Sequence, residues 1–165
     1  MTSILKVSTI QNTAGGAPTA ADLGIGINYF QVNVTQQNYL ASAGNVDYEL
    51  DTFIGNGATF NDSTDTITVT DAGVWQINLF LSCAATGNAS VRWQENYVYQ
   101  NATKILDSRS FIYNVDSNNE YYAINASRIV NVSSGDTFTL SGNGQVDWTI
   151  SSGDQGSNFN AIRLA

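Results

Sequence analysis

At 165 residues, with 42% hydrophobic and only 12% charged side chains, the chain has enough apolar material for one well-cored domain and a short extension. Its net charge is −8, and its six cations (Lys6, Arg92, Lys104, Arg109, Arg128, Arg163) are scattered. This excludes a counterion-releasing grip on nucleic acid and attraction to an anionic membrane. There is no histidine, which removes Ser-His-Asp and Cys-His catalysis and ordinary zinc sites, so the expectation is a protein that is not an enzyme.

Cys83 is the single cysteine, so no intrachain disulfide exists, and a small buried hydrophobe is expected there. The first residues lack the basic start, apolar run and small-residue cleavage site of a secretory signal. No apolar stretch approaches the ~18 residues of a membrane helix, and no membrane insertion is expected.

In chain order, residues 1–12 alternate like a strand, with Ile4, Lys6, Ser8 and Ile10 on one face and Leu5, Val7 and Thr9 on the other. A strand needs a partner for its backbone, so Ile4, Leu5, Val7 and Ile10 mark a docking segment that pairs by strand addition. The stretch NTAGGAPTAADLGIG (12–26) is small and slack and reads as a joint. The expected division is a docking strand and linker over 1–25 and a folded domain over 26–165.

From there turn signals recur every 8–12 residues, the rhythm of an all-β sandwich. The predicted strands are NYFQVNVT (28–35), VDYELDTF (46–53), DTITVT (65–70), GVWQINLFLSCA (73–84) and SVRWQE (90–95). They continue with TKILDSRSFIY (103–113), EYYAINASRIVNV (120–132), DTFTLS (136–141), VDWTIS (146–151) and NFNAIRLA (158–165). Turns are expected at both GNG triplets (55–57 and 142–144), at NDSTD (61–65), DSNNE (116–120) and SSGD (133–136).

The strand over 73–84 is the most informative. Trp75, Ile77, Leu79, Leu81 and Cys83 share a face with no polar member, which the two-residue period assigns to the core. Val74, Gln76, Asn78 and Phe80 share the other with Ser82. That face is too apolar for plain solvent and too polar for a core. Its composition suits a subunit interface with satisfied hydrogen bonds, the alternative being a solvated face carrying one Phe.

Three stretches together resemble the jelly rolls of the tumour-necrosis-factor-like and complement-globular-head superfamily. In TITVTDAGVWQINLFLS (66–82) a short strand is followed by Gly73, one residue and the aromatic Trp75. VNVSSGDTFTL (130–140) carries the apolar-x-apolar-x-x-Gly-Asp-x-apolar-x-Leu pattern. SNFNAIRLA (157–165) is similar to the closing Ser-x-Phe strand, with Ala161 where the family usually has glycine. The resemblance spans about residues 27–165. It implies a ten-stranded jelly-roll β-sandwich that associates as a homotrimer, one sheet of each subunit facing the threefold axis.

The opening MTSILKVSTIQNTAGGAPT resembles leaders of short fibre and appendage proteins of tailed bacteriophages. This implies a virion protein assembled in the host cytoplasm, where disulfides are not available for stability, and docked on other virion proteins through that segment. The resulting expectation is a trimeric fibre, spike or knob, with host-surface glycan as a candidate partner. A capsid decoration protein, or a non-viral soluble lectin or ligand of the same fold, is the alternative.

Two constellations bear on ligands. Trp93, Tyr97 and Tyr99 align as a glycan-stacking platform only if RWQENYVYQ is one unbroken strand, and a turn at Glu95-Asn96 would disperse them. Neither NDSTD nor DSNNE fits a helix–loop–helix calcium pattern, and Asx-turns account for both. No cofactor or metal is expected; if Ca2+ binds, Asp62, Asp65, Asp116 and Glu120 are the candidate ligands.

Overall fold

The computed structural model describes residues 27–35, 37–39, 43–85, 89–115, 120–145, 147–151 and 156–165. The expected docking residues Ile4, Leu5, Val7 and Ile10, and with them the expected boundary at 25–26, lie outside these. Two antiparallel sheets pack face to face. One contains β1 (Tyr29–Val34), β2 (Gln37–Tyr39), β4 (Leu50–Asn56), β7 (Gly73–Ala85), β10 (Glu120–Val132), β12 (Trp148–Ile150) and β13 (Asn158–Arg163). The other contains β3 (Val46–Asp47), β5 (Ala58–Asn61), β6 (Thr66–Val69), β8 (Ala89–Gln100), β9 (Thr103–Val115) and β11 (Thr137–Gly144).

β7 is the spine of the seven-stranded sheet. β10 pairs along its whole length, while β13 and β12 share the opposite edge end to end. β1 and then β4 continue the sheet beyond β13. The six-stranded sheet runs β5-β6-β11-β8-β9, with β3 on β11.

The core lies between the sheets, as the two-residue period requires. Trp75, Ile77, Leu79, Leu81 and Cys83 are all buried. Phe30 sits at the centre of an aromatic cluster, 5.5 Å from Phe159, 6.0 Å from Trp75 and 6.3 Å from Phe138 by ring centroid. Such tilted pairs contribute beyond simple area burial. Ala161 is buried on the inner face opposite Ile77, so the closing strand keeps its register without a glycine there.

Gly73 explains the Gly-x-aromatic signature. Its φ is 156°, and a Cβ would stand 2.2 Å from the Ala165 carbonyl oxygen. That closeness lets the Ala165 carbonyl accept from Val74 N (2.8 Å) and the Val74 carbonyl accept from Leu164 N (2.7 Å).

The described residues form thirteen strands where ten were expected, for identifiable reasons. VDYELDTF is not one strand: β3 belongs to one sheet and β4 to the other, and the chain crosses between layers at Tyr48-Glu49. Sandwich corners form in this way, and Tyr48 is thereby driven into the interior. β2 and β5 were not foreseen, because QNY and ATFN are too short to carry a periodic signal; they are held by pairing with β12 and β6. The GNG at 142–144 is no turn. It lies inside β11, paired with Gln94, Glu95 and Asn96 of β8.

The Gly135–Asp136 turn behaves as its motif implies. The Asp136 carboxylate accepts from Ser133 N (2.8 Å), Gln100 Nε2 (2.7 Å) and Asn101 Nδ2 (2.6 Å), tying the β10–β11 turn to the β8–β9 hairpin. The Ser133 bond first, then those from Asn101 and Gln100, hold this carboxyl below the usual carboxylate range. Asp136→Ala is expected to cost about 1–2 kcal/mol in urea unfolding at neutral pH. Because the folded-state pKa is depressed, the wild-type advantage is complete above the ordinary carboxylate pKa. It shrinks as pH falls through the folded value. A gap between wild type and variant that stays constant down to strong acid would contradict this assignment.

Candidate functional site: an uncharged sheet face

The outward face of the seven-stranded sheet follows from register alone. Gln76 stands between Ile129 and Ile162, Asn78 between Ser127 and Asn160, and Phe80 between Asn125 and Asn158. β1 extends these rows with Tyr29, Gln31 and Asn33. Further along β7, Ser82 and Ala84 lie opposite Ala123 and Tyr121. None of these side chains is charged, in a protein whose net charge is −8. Charge depletion with retained aromatic and aliphatic groups is what distinguishes the buried centre of an interface from ordinary surface.

The amides at the centre of this face are already paired with one another. Gln76 Nε2 donates to Asn78 Oδ1 (3.2 Å), Asn78 Nδ2 to Asn160 Oδ1 (2.9 Å), and Asn160 Nδ2 to Asn158 Oδ1 (2.8 Å). Asn158 Nδ2 ends the chain on the Gly156 carbonyl (2.7 Å), and Ser127 Oγ donates to Asn78 Oδ1 (2.8 Å). An amide buried without a partner costs about 1–3 kcal/mol, whereas one already paired loses far less when water leaves.

Around this amide chain lie exposed apolar groups. Ile129 is 61% exposed, Ile54 54%, Tyr29 44% and Tyr121 76%. Two shallow grooves cross the face and meet at Asn160. One, of about 440 Å³, is lined by Asn78, Phe80, Asn125, Ser127 and Asn158; the other, of about 530 Å³, by Ile27, Tyr29, Gln31 and Ile162. The predicted interface residues Val74, Gln76, Asn78 and Phe80 are thus brought onto one half-buried surface. Sequence reasoning missed the contributions of β10, β13 and β1, which only pairing register discloses.

Trp93, Tyr97 and Tyr99 lie on the opposite side of the molecule. β8 runs unbroken through Glu95-Asn96, so they share the outer face of the six-stranded sheet with Glu95. Tyr97 is nevertheless only 5% exposed. The Lys104 ammonium stands 4.4 Å from its ring centroid, and its hydroxyl donates to the Glu95 carboxylate. Desolvation, with Asp107 and Tyr99 adding to it, raises the Tyr97 pKa. Tyr97 therefore supports this surface rather than presenting a free ring.

The calcium candidates are not gathered. Asp65 Oδ1 accepts from Leu50 N (2.7 Å), and Asn61 makes the expected Asx-turn to Ser63 N (3.1 Å) within the β5–β6 hairpin that also holds Asp62. Asp116 lies outside the described residues, and the Glu120 backbone pairs with Ala85. Among the described residues no group of three or more Asp, Glu or Cys side chains is placed to hold a metal. Cys83 is buried, its sulfur 3.8 Å from Gln94 Nε2, and burial pushes its pKa up to about 12. It is an inert core thiol.

No family model matches the sequence, and no curated protein matches it. Solved structures do match the fold. Eiger TNF from S. frugiperda aligns with a TM-score of 0.61 at 10% identity, over 84% of this chain and 93% of that one. Murine APRIL at pH 8.5 aligns with a TM-score of 0.58 at 10% identity, over 84% of this chain and all of that one; the same protein at pH 5.0 gives 0.56 at 12%. The chain therefore has a tumour-necrosis-factor-like jelly-roll fold.

Proposed function

We propose that this jelly roll is a non-enzymatic, homotrimeric virion protein, displayed as a fibre, spike or knob and docked to other virion proteins through its N-terminal segment. The observation that carries self-association is the uncharged face with its satisfied amide chain and exposed isoleucines. Solvent alone gives no reason to clear every charge from Gln76, Asn78, Phe80 and their neighbours across four strands. The absence of histidine supports a mechanical and adhesive role over catalysis. The phage-like leader supports the virion setting. A capsid decoration role uses the same trimer without a receptor.

A second reading, a soluble non-viral ligand or lectin of this fold, is favoured by the likeness to Eiger TNF and murine APRIL. Antibody raised against the chain separates the two. Immunogold labelling of projections on purified particles from the source culture is the expected result. Recovery of the chain only in the particle-free medium would overturn the virion setting.

A further inference from the structure

The outer face of the six-stranded sheet carries a second organised surface. On β8 and β9, Trp93 lies opposite Phe111 and Glu95 opposite Arg109. The Arg109 guanidinium carbon is 5.2 Å from the Trp93 ring centroid and 5.8 Å from that of Phe111, within cation–π reach of both rings. Glu95 pairs with Arg109 from the strand alongside, and Lys104 pairs with Asp107 at 2.8 Å. Phe111 is 51% exposed. It is the one large apolar side chain standing this far into solvent on this sheet, among the described residues.

We propose that Trp93, Arg109 and Phe111, with Glu95, form a binding platform for a neutral saccharide. The inference deepens the adhesive part of the function proposed above and rests on that reading for its biological use. The site itself lies within one chain.

The chemistry is complementary on three counts. A pyranose ring has an apolar C–H face that stacks on an aromatic ring, and Phe111 offers an exposed one, with Trp93 opposite it on the neighbouring strand. The same sugar has a rim of hydroxyl oxygens that accept hydrogen bonds. Arg109, with half of its side chain exposed, supplies the donors, while the largely covered Glu95 carboxylate, bonded to Arg109 and to the Tyr97 hydroxyl, holds the guanidinium in position. Finally, both cations here are balanced by carboxylates, so the platform has no net charge to draw a sulfated or uronic polymer. The ion pair with Glu95 also helps to keep the Arg109 guanidinium in place before a ligand arrives, which lowers the ordering cost of binding. Three such sites on a trimer would convert weak single-site affinity into useful avidity.

The test is an NMR titration of the full chain with neutral hexasaccharides (cellohexaose, maltohexaose and a β-galactan hexamer) and with a heparin hexasaccharide. Trp75 and Trp148 are buried and Trp93 is not, so the Trp93 indole N–H reports the platform. The expected result is a saturable shift of that signal by at least one neutral probe below about 10 mM. Phe111→Ala or Arg109→Lys should weaken it at least about tenfold, with the sedimenting mass of the protein unchanged. Arg109→Lys keeps the charge and removes the planar guanidinium, and it decides the matter where Phe111→Ala does not fold. Three results would overturn the proposal: no neutral probe shifting Trp93, heparin binding more tightly than every neutral probe, or both variants binding as wild type. Because assembly is read separately by mass, failure of this site leaves the self-association reading standing, and the reverse also holds.

Discussion

Replacing Ile129 by aspartate is expected to break the proposed trimer into single folded copies. Ile129 projects from β10 beside Gln76 and is 61% exposed within one chain, so its own fold does not depend on it. Inside the proposed interface the new carboxylate would be desolvated with no cation within the uncharged face to pair with. Uncompensated burial of one charge costs about 3–5 kcal/mol, at least a hundredfold in each contact. Symmetry repeats the penalty at every interface. Thr59→Asp, on the exposed outer edge of the other sheet, should leave the mass unaltered. Circular dichroism of both variants should match wild type. An Ile129→Asp protein that stays assembled would place the interface elsewhere.

The second large effect concerns the interior. Gly142→Ala should destabilise the domain by about 2–6 kcal/mol. A Cβ at Gly142 would stand 1.9 Å from the Tyr48 hydroxyl oxygen and 2.6 Å from Cζ of the same ring. The ring has nowhere to retreat. It is 1% exposed, packs 5.2 Å from the Tyr39 ring, and donates its hydroxyl hydrogen to Asn96 Oδ1. Overpacking costs about 1–3 kcal/mol, and breaking a buried hydrogen bond adds about 1–3 more. Adding Tyr48→Phe removes the nearest clashing atom, so the double variant should be less destabilised than the sum of the two singles. Urea unfolding of the set measures this. A Gly142→Ala loss below about 1 kcal/mol would mean that Tyr48 does not occupy this corner.

These two cases mark what was legible in the sequence and what was not. β7 and β10 were readable because long strands with a recurring apolar position every second residue carry their own signal, and β10 matches the predicted EYYAINASRIVNV from end to end. The candidate interface was legible as one strand's pattern, Val74 to Phe80. Its width was not, because Ile129, Asn160 and Tyr29 join it only through pairing of residues far apart in the chain. Gly142 and Gly144 read locally as a turn, yet Gly142 leaves room for a tyrosine from the opposite side of a sheet crossing. Asn96 reads as a strand breaker, and it is kept in mid-strand because it lies in the core, where Gln94 Nε2 donates to its carbonyl at 2.9 Å. Phe111 and Arg109 carried no local signal at all. Only the β8–β9 register sets them beside Trp93 and Glu95.

Sedimentation velocity of the chain at micromolar concentration decides whether the uncharged sheet face is a subunit contact. The expected result is a single species of three times the 17.7 kDa chain mass, persisting on dilution. A well-folded species of 17.7 kDa under the same conditions would contradict it.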